Sequence, residues 1–156
     1  MEWTRKSIYK LDFGYPSVKN LAIQLVRKTM GEELSFMFKY ALNNNKARSL
    51  WGYYKENKLV GICGLLGTSN PDNVWFSWFA VDPALQKKGL GKFMLDFIED
   101  KACNKNYKRL FVETHDNKIF LGAMRFYKKH GFIAVGHLLH QLKDDSTTLY
   151  YMKELY

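Results

Sequence analysis

Apolar and polar positions change their period several times along the chain. From Ser7 to Phe13 they alternate weakly (SIYKLDF), the period of a first strand. Helical spacing follows: in SVKNLAIQLVRKTM, Val18, Leu21, Leu25 and Val26 fall on one face, with Ser17 placed to cap its start. Leu34, Met37, Phe38 and Ala41 repeat that spacing in EELSFMFKYAL. SLWGYYKENKLVGICGLLG reads as two strands joined by a tight turn at Glu56-Asn57. NVWFSWFAV is apolar at nearly every position, the pattern of a central strand covered on both faces, and Asp82-Pro83 ends it. Leu90, Phe93, Met94, Phe97 and Ile98 return to helical spacing. KRLFVET is a short strand. IFLGAMRFYKKHG is a helix with Gly131 just past its end. FIAVGHLL and TTLYYMKEL close the chain as a strand pair. The order β-α-α-β-β-β-α-β-α-β-β predicts an α/β fold: a mixed sheet with helices on its faces.

Composition narrows the class. At 156 residues a single domain spanning 1–156 is expected. A chain of that size buries roughly 70% of its extended-chain surface. The 47% of hydrophobic residues then suffice for a core without staples. No apolar run is long enough for a transmembrane helix, and MEWTRKSIYKLDF has no continuous apolar stretch of the kind a signal peptide needs. Cys63 and Cys103 are too few and too isolated for a zinc site or a disulfide framework, so reduced thiols in a cytoplasmic protein without metal are expected. The net charge of +9 suits a polyanionic cofactor, an acidic protein surface or nucleic acid, and does not choose among them. The lysines are spread along the chain rather than gathered in a basic arm.

QKKGLGK, Gln86 to Lys92, sits between the apolar strand and an amphipathic helix. A helix N-terminus carries unpaired N–H groups and partial positive charge. Gly89 and Gly91 remove side chains that would block a ligand from those groups, and Lys87, Lys88 and Lys92 add attraction. A plain βα turn with solvated lysines reads the same way. The segment is neither a Rossmann fingerprint nor a P-loop, lacking the third glycine and the GK[ST] ending.

AVDPALQKKGLGKFML resembles motif A of the GNAT superfamily of acyl-CoA N-acyltransferases, Q/R-x-x-G-x-G/A, through Gln86, Gly89 and Gly91. AMRFYKKHGFIAVG is similar to that family's second signature through Ala123, Tyr127, Gly131 and Phe132. The resemblance is strongest from about Val74 to Gly136 and weakest before Leu50. It implies a central, mostly antiparallel sheet of roughly six or seven strands flanked by about four helices. It also implies acetyl-CoA as co-substrate, with Gln86 among the cofactor-binding residues, its pyrophosphate on Lys87, Lys88, Gly89, Leu90, Gly91 and Lys92, and its pantetheine arm along Phe79, Ala80 and Val81. Many relatives carry an asparagine three residues before the alanine; here Phe120 stands there, and Asn117 is the nearest asparagine. Asn117 is therefore either a cofactor contact or the cap of the following helix.

Acyl transfer from a thioester to an amine needs a neutral amine, a polarised carbonyl and a protonated leaving thiol. Primary amines titrate from roughly 8 to 10 and thiols near about 8.5. The resemblance assigns thiolate protonation, and a place at the cofactor, to Tyr127, whose phenol titrates near about 10; a core aromatic on a helix face is the plainer reading. NVWFSWFAV offers no carboxylate, so Glu113 is the candidate base, as in relatives that acetylate ribosomal-protein N-termini; a strand-end glutamate paired with a lysine is its alternative. His115, read as a turn histidine, is the rival base. His137 and His140 are acceptor-side candidates, and Asp144-Asp145 reads as an exposed turn. The Val81 N–H is the expected oxyanion donor.

Three functions stay open: acetyl transfer to a small amine such as an amino acid, polyamine or amino sugar; transfer to a protein N-terminus, a lysine or a charged tRNA; and a non-catalytic CoA-binding domain. The first is favoured, with no membrane partner, nucleic acid not favoured, and a monomer or homodimer.

Overall fold

The computed structural model describes residues 1–44 and 48–156. The strands are β1 (Ile8–Lys10), β2 (Ser49–Lys55), β3 (Lys58–Gly67), β4 (Asn73–Val81), β5 (Arg109–His115), β6 (Ile133–Leu138) and β7 (Thr148–Glu154). The helices are α1 (Pro16–Met30), α2 (Glu32–Asn43), α3 (Leu90–Asn104) and α4 (Leu121–Lys129). The strands form one sheet in the order β1-β2-β3-β4-β5-β7-β6. Every neighbouring pair is antiparallel except β4 and β5. The predicted mixed α/β architecture and element order are those found. No helix among the described residues is long and apolar enough to cross a membrane.

The core has two main compartments, one on each side of the sheet. Strand alternation sends Leu65, Val74, Phe76, Leu110, Val112 and Tyr151 to one face, where Leu90, Met94, Leu95, Phe97 and Ile98 of α3 meet them. The other face receives Ala22, Ile23, Leu25 and Val26 of α1 and Phe38 of α2 against Leu50, Ile62 and Ala80. Glu56 and Asn57 both adopt positive φ, 49° and 64°, which makes the tight turn between β2 and β3. Gly131, with φ 89°, follows the C-cap of α4.

Local details depart from the sequence reading. The first strand is only three residues long. The α1 cap is Tyr15, not Ser17, because Pro16 takes the first helical position and its fixed φ starts the helix two residues early. Leu21 and Met37 are exposed, at 41% and 44%, since the buried faces turn toward Ala22 and Ile23 and toward Leu34 and Ser35. β4 is not covered on both faces throughout: Trp75, Ser77, Trp78 and Phe79 are half-buried.

Candidate active site

β4 and β5 pair only from Asn73↔Arg109 to Phe76↔Val112. Beyond that level β4 continues against β3 while β5 continues against β7, so the sheet opens between them. A β-bulge accompanies the split. The β3–β4 register shifts between Ile62 and Gly64, and Trp78 opposite takes φ 53°, a strained value for a bulky residue. The Asp82 N–H donates to Val60 O at 2.8 Å, so Asp82 faces β3 and Val81 must face the opening. The Val81 carbonyl is already bonded by the Gln86 amide at 3.0 Å. Its N–H is left pointing into the split.

The glycine-rich loop stands at the end of this opening. After Leu85, Lys87 and Gly89 take left-handed φ values of 60° and 88°. Gly89 is the N-cap of α3 and contributes no side-chain cap. The Phe93 N–H, bonded to Gly89 O at 3.0 Å, is the first to find an acceptor one helical turn back, so the Leu90, Gly91 and Lys92 N–H groups precede the intrahelical ladder. Trp3 buttresses the loop by donating to Lys88 O at 2.9 Å. A Cβ on Gly91 would lie 3.3 Å from Phe126 and 3.5 Å from Phe79. Lys87 and Lys88 are exposed, whereas Lys92 pairs with Asp96 one turn along.

Tyr127 is buried among Phe76, Phe126, Phe132 and Tyr151, on the α3 side of the sheet. Burial pushes its phenol up, so it stays protonated through the neutral range. Glu113 sits where β5 leaves β4, and its position alternates with Val112 onto the other face. The residue as a whole is exposed, yet the protein packed around its carboxyl raises it above the ordinary glutamate range, an effect the Arg48 guanidinium partly offsets. Acid and base candidates therefore occupy opposite faces beside the same opening.

His115 is corrected from an exposed turn to a buried strand residue. Its Nδ1 lies 3.0 Å from Thr148 Oγ1, its ring meets Phe120 edge-on, and burial pulls it below the ordinary histidine value, with Asp144 and Glu33 opposing. Asn117 uses its whole amide within the chain. The oxygen accepts from Ile119 and Phe120 N–H, and the nitrogen faces Asp144 and Ser146. Those bonds define a cap and leave it nothing to offer a cofactor. Its sequence signal, an asparagine before a helix, fits that role equally well. His137 lies on β6, every residue of which is exposed, and His140 pairs with Asp145. Asp144 turns back onto the Ser146 N–H.

Sequence reasoning missed Trp3, Trp78 and Arg48. Buried Arg48 Nε, Ser77 Oγ, Trp78 Nε1 and Thr114 Oγ1 have no hydrogen-bond partner among the described residues. All but Arg48 belong to the two strands at or just past the level where they part. Orphaned polar atoms and a free strand edge at one place fit a site completed by a ligand. Of two cavities, of about 220 and 480 Å³, the first is lined by Arg48 with Ser49, Lys105 and Tyr107, and the second lies between α1 and α2. The geometry defines the site better than cavity volume does, because the split is an open slot.

A split parallel pair beside a glycine-nested helix start defines an acyltransferase-type class of fold. The chain belongs to the acetyltransferase (GNAT) family, whose model matches residues 17–132. It is 37% identical over 94 residues to the spermine/spermidine N(1)-acetyltransferase of Bacillus subtilis (strain 168), a match covering 56% of this chain and 60% of that protein. It is 33% identical over 85 residues to the S-(2-succino)cysteine N-acetyltransferase of the same organism, covering 53% and 48%. The match thus spans about three-fifths or less of these relatives' length. An aminoglycoside 6′-N-acetyltransferase solved with coenzyme A shares the fold at TM-score 0.75 and 17% identity, over 96% of this chain and 97% of that one.

Proposed function

We propose that the protein is an acetyl-CoA-dependent N-acetyltransferase that passes acetyl directly to an amine of a small molecule. The observation that carries this reading is the opening between β4 and β5 ending on the loop Gln86 to Lys92. In it, the free N–H groups of Leu90, Gly91 and Lys92, with the Lys87 and Lys88 charges, hold the diphosphate. Phe79, Ala80 and Val81 offer the pantetheine arm a strand edge in place of β5. Gln86 fixes the Val81 carbonyl, so that the Val81 N–H is left to polarise the thioester oxygen.

Glu113 takes the ammonium proton from the acceptor. A carboxyl raised by its surroundings is a stronger base than an ordinary one. The nitrogen lone pair attacks the thioester carbon, the C–S bond breaks, and Tyr127 gives its proton to the departing sulfur; the acylated nitrogen loses its remaining extra proton to solvent, and the phenolate takes one back from solvent. Burial of the phenol suits it to donate rather than accept. Cys63 is sealed in the core with its thiol pushed up, which speaks against an acyl-cysteine route.

Small-molecule acceptors are favoured by the names of the two sequence relatives, a polyamine and a substituted-cysteine enzyme. A cytoplasmic location is proposed with them. The test is release of free thiol from acetyl-CoA against amino acids, polyamines, amino sugars, peptides and aminoacyl-tRNA. Turnover with a small amine supports the reading; turnover with peptides or aminoacyl-tRNA alone would replace the acceptor class. Acetyl-CoA binding without turnover of any acceptor would make the chain a CoA-binding domain.

A further inference from the structure

Three of the four orphaned polar atoms share one neighbourhood. Ser77 and Trp78 are consecutive on β4, and Arg48, at the entry to β2, places its guanidinium over the Trp78 ring, 5.8 Å from the centroid. Arg48 is half-buried, and its Nε is sealed without a partner among the described residues. Glu113 is its electrostatic neighbour, felt by both groups, with no salt bridge joining them. A guanidinium kept partly dry beside a carboxylate it does not pair with calls for another anion.

The orphans also say what chemistry is missing. Arginine Nε–H and indole N–H can only donate, and the serine hydroxyl can donate as well. Their partner must therefore bring acceptor oxygens. A carboxylate does so on both its oxygens and matches the planar guanidinium fork. An oligoamine brings only N–H donors and positive charge, which Arg48 repels. Next to Glu113, the half-buried rings of Trp75, Phe111 and Tyr150 meet in tilted and edge-to-face contacts at centroid distances of 5.7 and 5.8 Å on the same face. They offer an apolar bed for a side chain.

Building on the acetyltransferase reading, we infer that Arg48, with Trp78 and Ser77, binds a carboxylate on the acceptor. The acceptor is then amino-acid-like: its amine lies at Glu113, its acid at Arg48 and its apolar arm over the aromatic bed. Arg48 is on this reading the residue that separates amino acids from the corresponding plain amines.

The test uses matched acceptors in the thiol-release assay: L-phenylalanine against phenethylamine, L-methionine against 3-(methylthio)propylamine, and spermidine alone. In the wild type, kcat/KM favours the acid-bearing member by roughly tenfold or more, mainly through KM, the scale of a charge-assisted contact. Arg48→Ala brings each pair to within about threefold, and Arg48→Lys, which keeps the charge but not the fork, falls between. Comparing ratios cancels the differing basicity of the amines. Calorimetric acetyl-CoA affinity, unchanged in both variants, reports that the cofactor side is intact. A wild-type preference for the plain amines or spermidine would overturn the inference. So would a ratio that survives in Arg48→Ala, or acetyl-CoA binding with no turnover of either amino acid. Failure of the wild type to bind acetyl-CoA would instead refute the acetyltransferase reading beneath it.

Discussion

Gly89→Glu tests the phosphate cradle with numbers that follow from the structure. Gly89 has φ 88°, and a side chain there costs about 1–2 kcal/mol because its Cβ crowds the following carbonyl. For a chain of this length each kcal/mol lowers Tm by about 2–4 °C, so the variant melts roughly 2–8 °C lower and remains folded at 25 °C. The new Cβ would stand 3.4 Å from Trp3 Nε1, an ordinary contact, so packing adds little. The added carboxylate would lie within about 4–6 Å of a diphosphate seated on the loop. One such pair repels by about 1 kcal/mol in water-like surroundings and about 4 kcal/mol at an effective dielectric of 20. Acetyl-CoA affinity should therefore fall by about fivefold to about a thousandfold. Gly136→Glu is the matched control. A Cβ there meets nothing within 4 Å, and its strand β6 lies three places from β4, roughly 14 Å away at 4.8 Å per strand. That exceeds the screening length of about 8 Å at physiological salt, so the control changes net charge without reaching the loop. Titration calorimetry with CoA reads both variants. Equal affinities in Gly89→Glu and Gly136→Glu would show that no phosphate sits at this helix start.

The other expected outcomes concern the proton carriers. Tyr127→Phe keeps the ring packing and should lower kcat by roughly a hundredfold to ten-thousandfold with CoA affinity unchanged in calorimetry; retained turnover would remove the phenol from the chemistry. Because the Glu113 carboxyl is raised above its ordinary 4.5, the acid limb of kcat/KM should lie above that value in the wild type. The Glu113→Gln defect should shrink as pH rises toward the acceptor amine's own pKa, where solvent supplies the neutral amine; a wild-type pH profile in the variant would exclude this base. His115 is held below 6.5 in the fold, so the unfolded chain takes up its proton first, and stability falls as pH drops through 6.5 toward the folded value. His115→Gln should flatten that loss, read as the urea midpoint at pH 7 and at about pH 5.5; an unchanged slope would assign it to other groups.

What the sequence made legible was local. The strand, the glycine-rich loop and the helix after it form one continuous stretch from Asn73 to Asn104. Their signals are steric: Gly89 because φ is positive there, Leu90, Met94 and Ile98 because one face is buried. Gly131 announced the end of α4 for the same reason. What stayed hidden depends on sheet order. Arg48 and Glu113 are 65 residues apart in number, and nothing in NNNKARSL indicates that the guanidinium reaches β4. Trp3 meets Lys88 across 85 positions, and its tryptophan reads in sequence only as an apolar residue near the start. On β4 itself the bulge at Trp78 carries no glycine to mark it, so the strand reads as continuous and doubly buried. Asn117 was ambiguous because a cap and a ligand contact ask for the same side chain.

On the proposed reading, the split between β4 and β5 explains why Tyr127 as acid and Glu113 as base coexist without cancelling. In an intact parallel pair, residues beyond Phe76 and Val112 would close the sheet and leave its two faces separate. Here the opening lets groups on the two faces reach a common point. Tyr127 belongs to the compartment of Phe76 and Tyr151, and Glu113 to the face of Trp75 and Tyr150. Burial raises both groups, and the same physical cause has opposite consequences: it preserves the phenol as a proton donor and strengthens the carboxylate as an acceptor. Were the two groups on one face within hydrogen-bond reach, they would bond to each other and neither would be free. With the sheet between them, a proton can leave the incoming nitrogen on one side and another can arrive at the outgoing sulfur on the other. On the proposed reading, that separation makes a covalent acyl-enzyme unnecessary, since acceptor and donor approach the same gap from different faces.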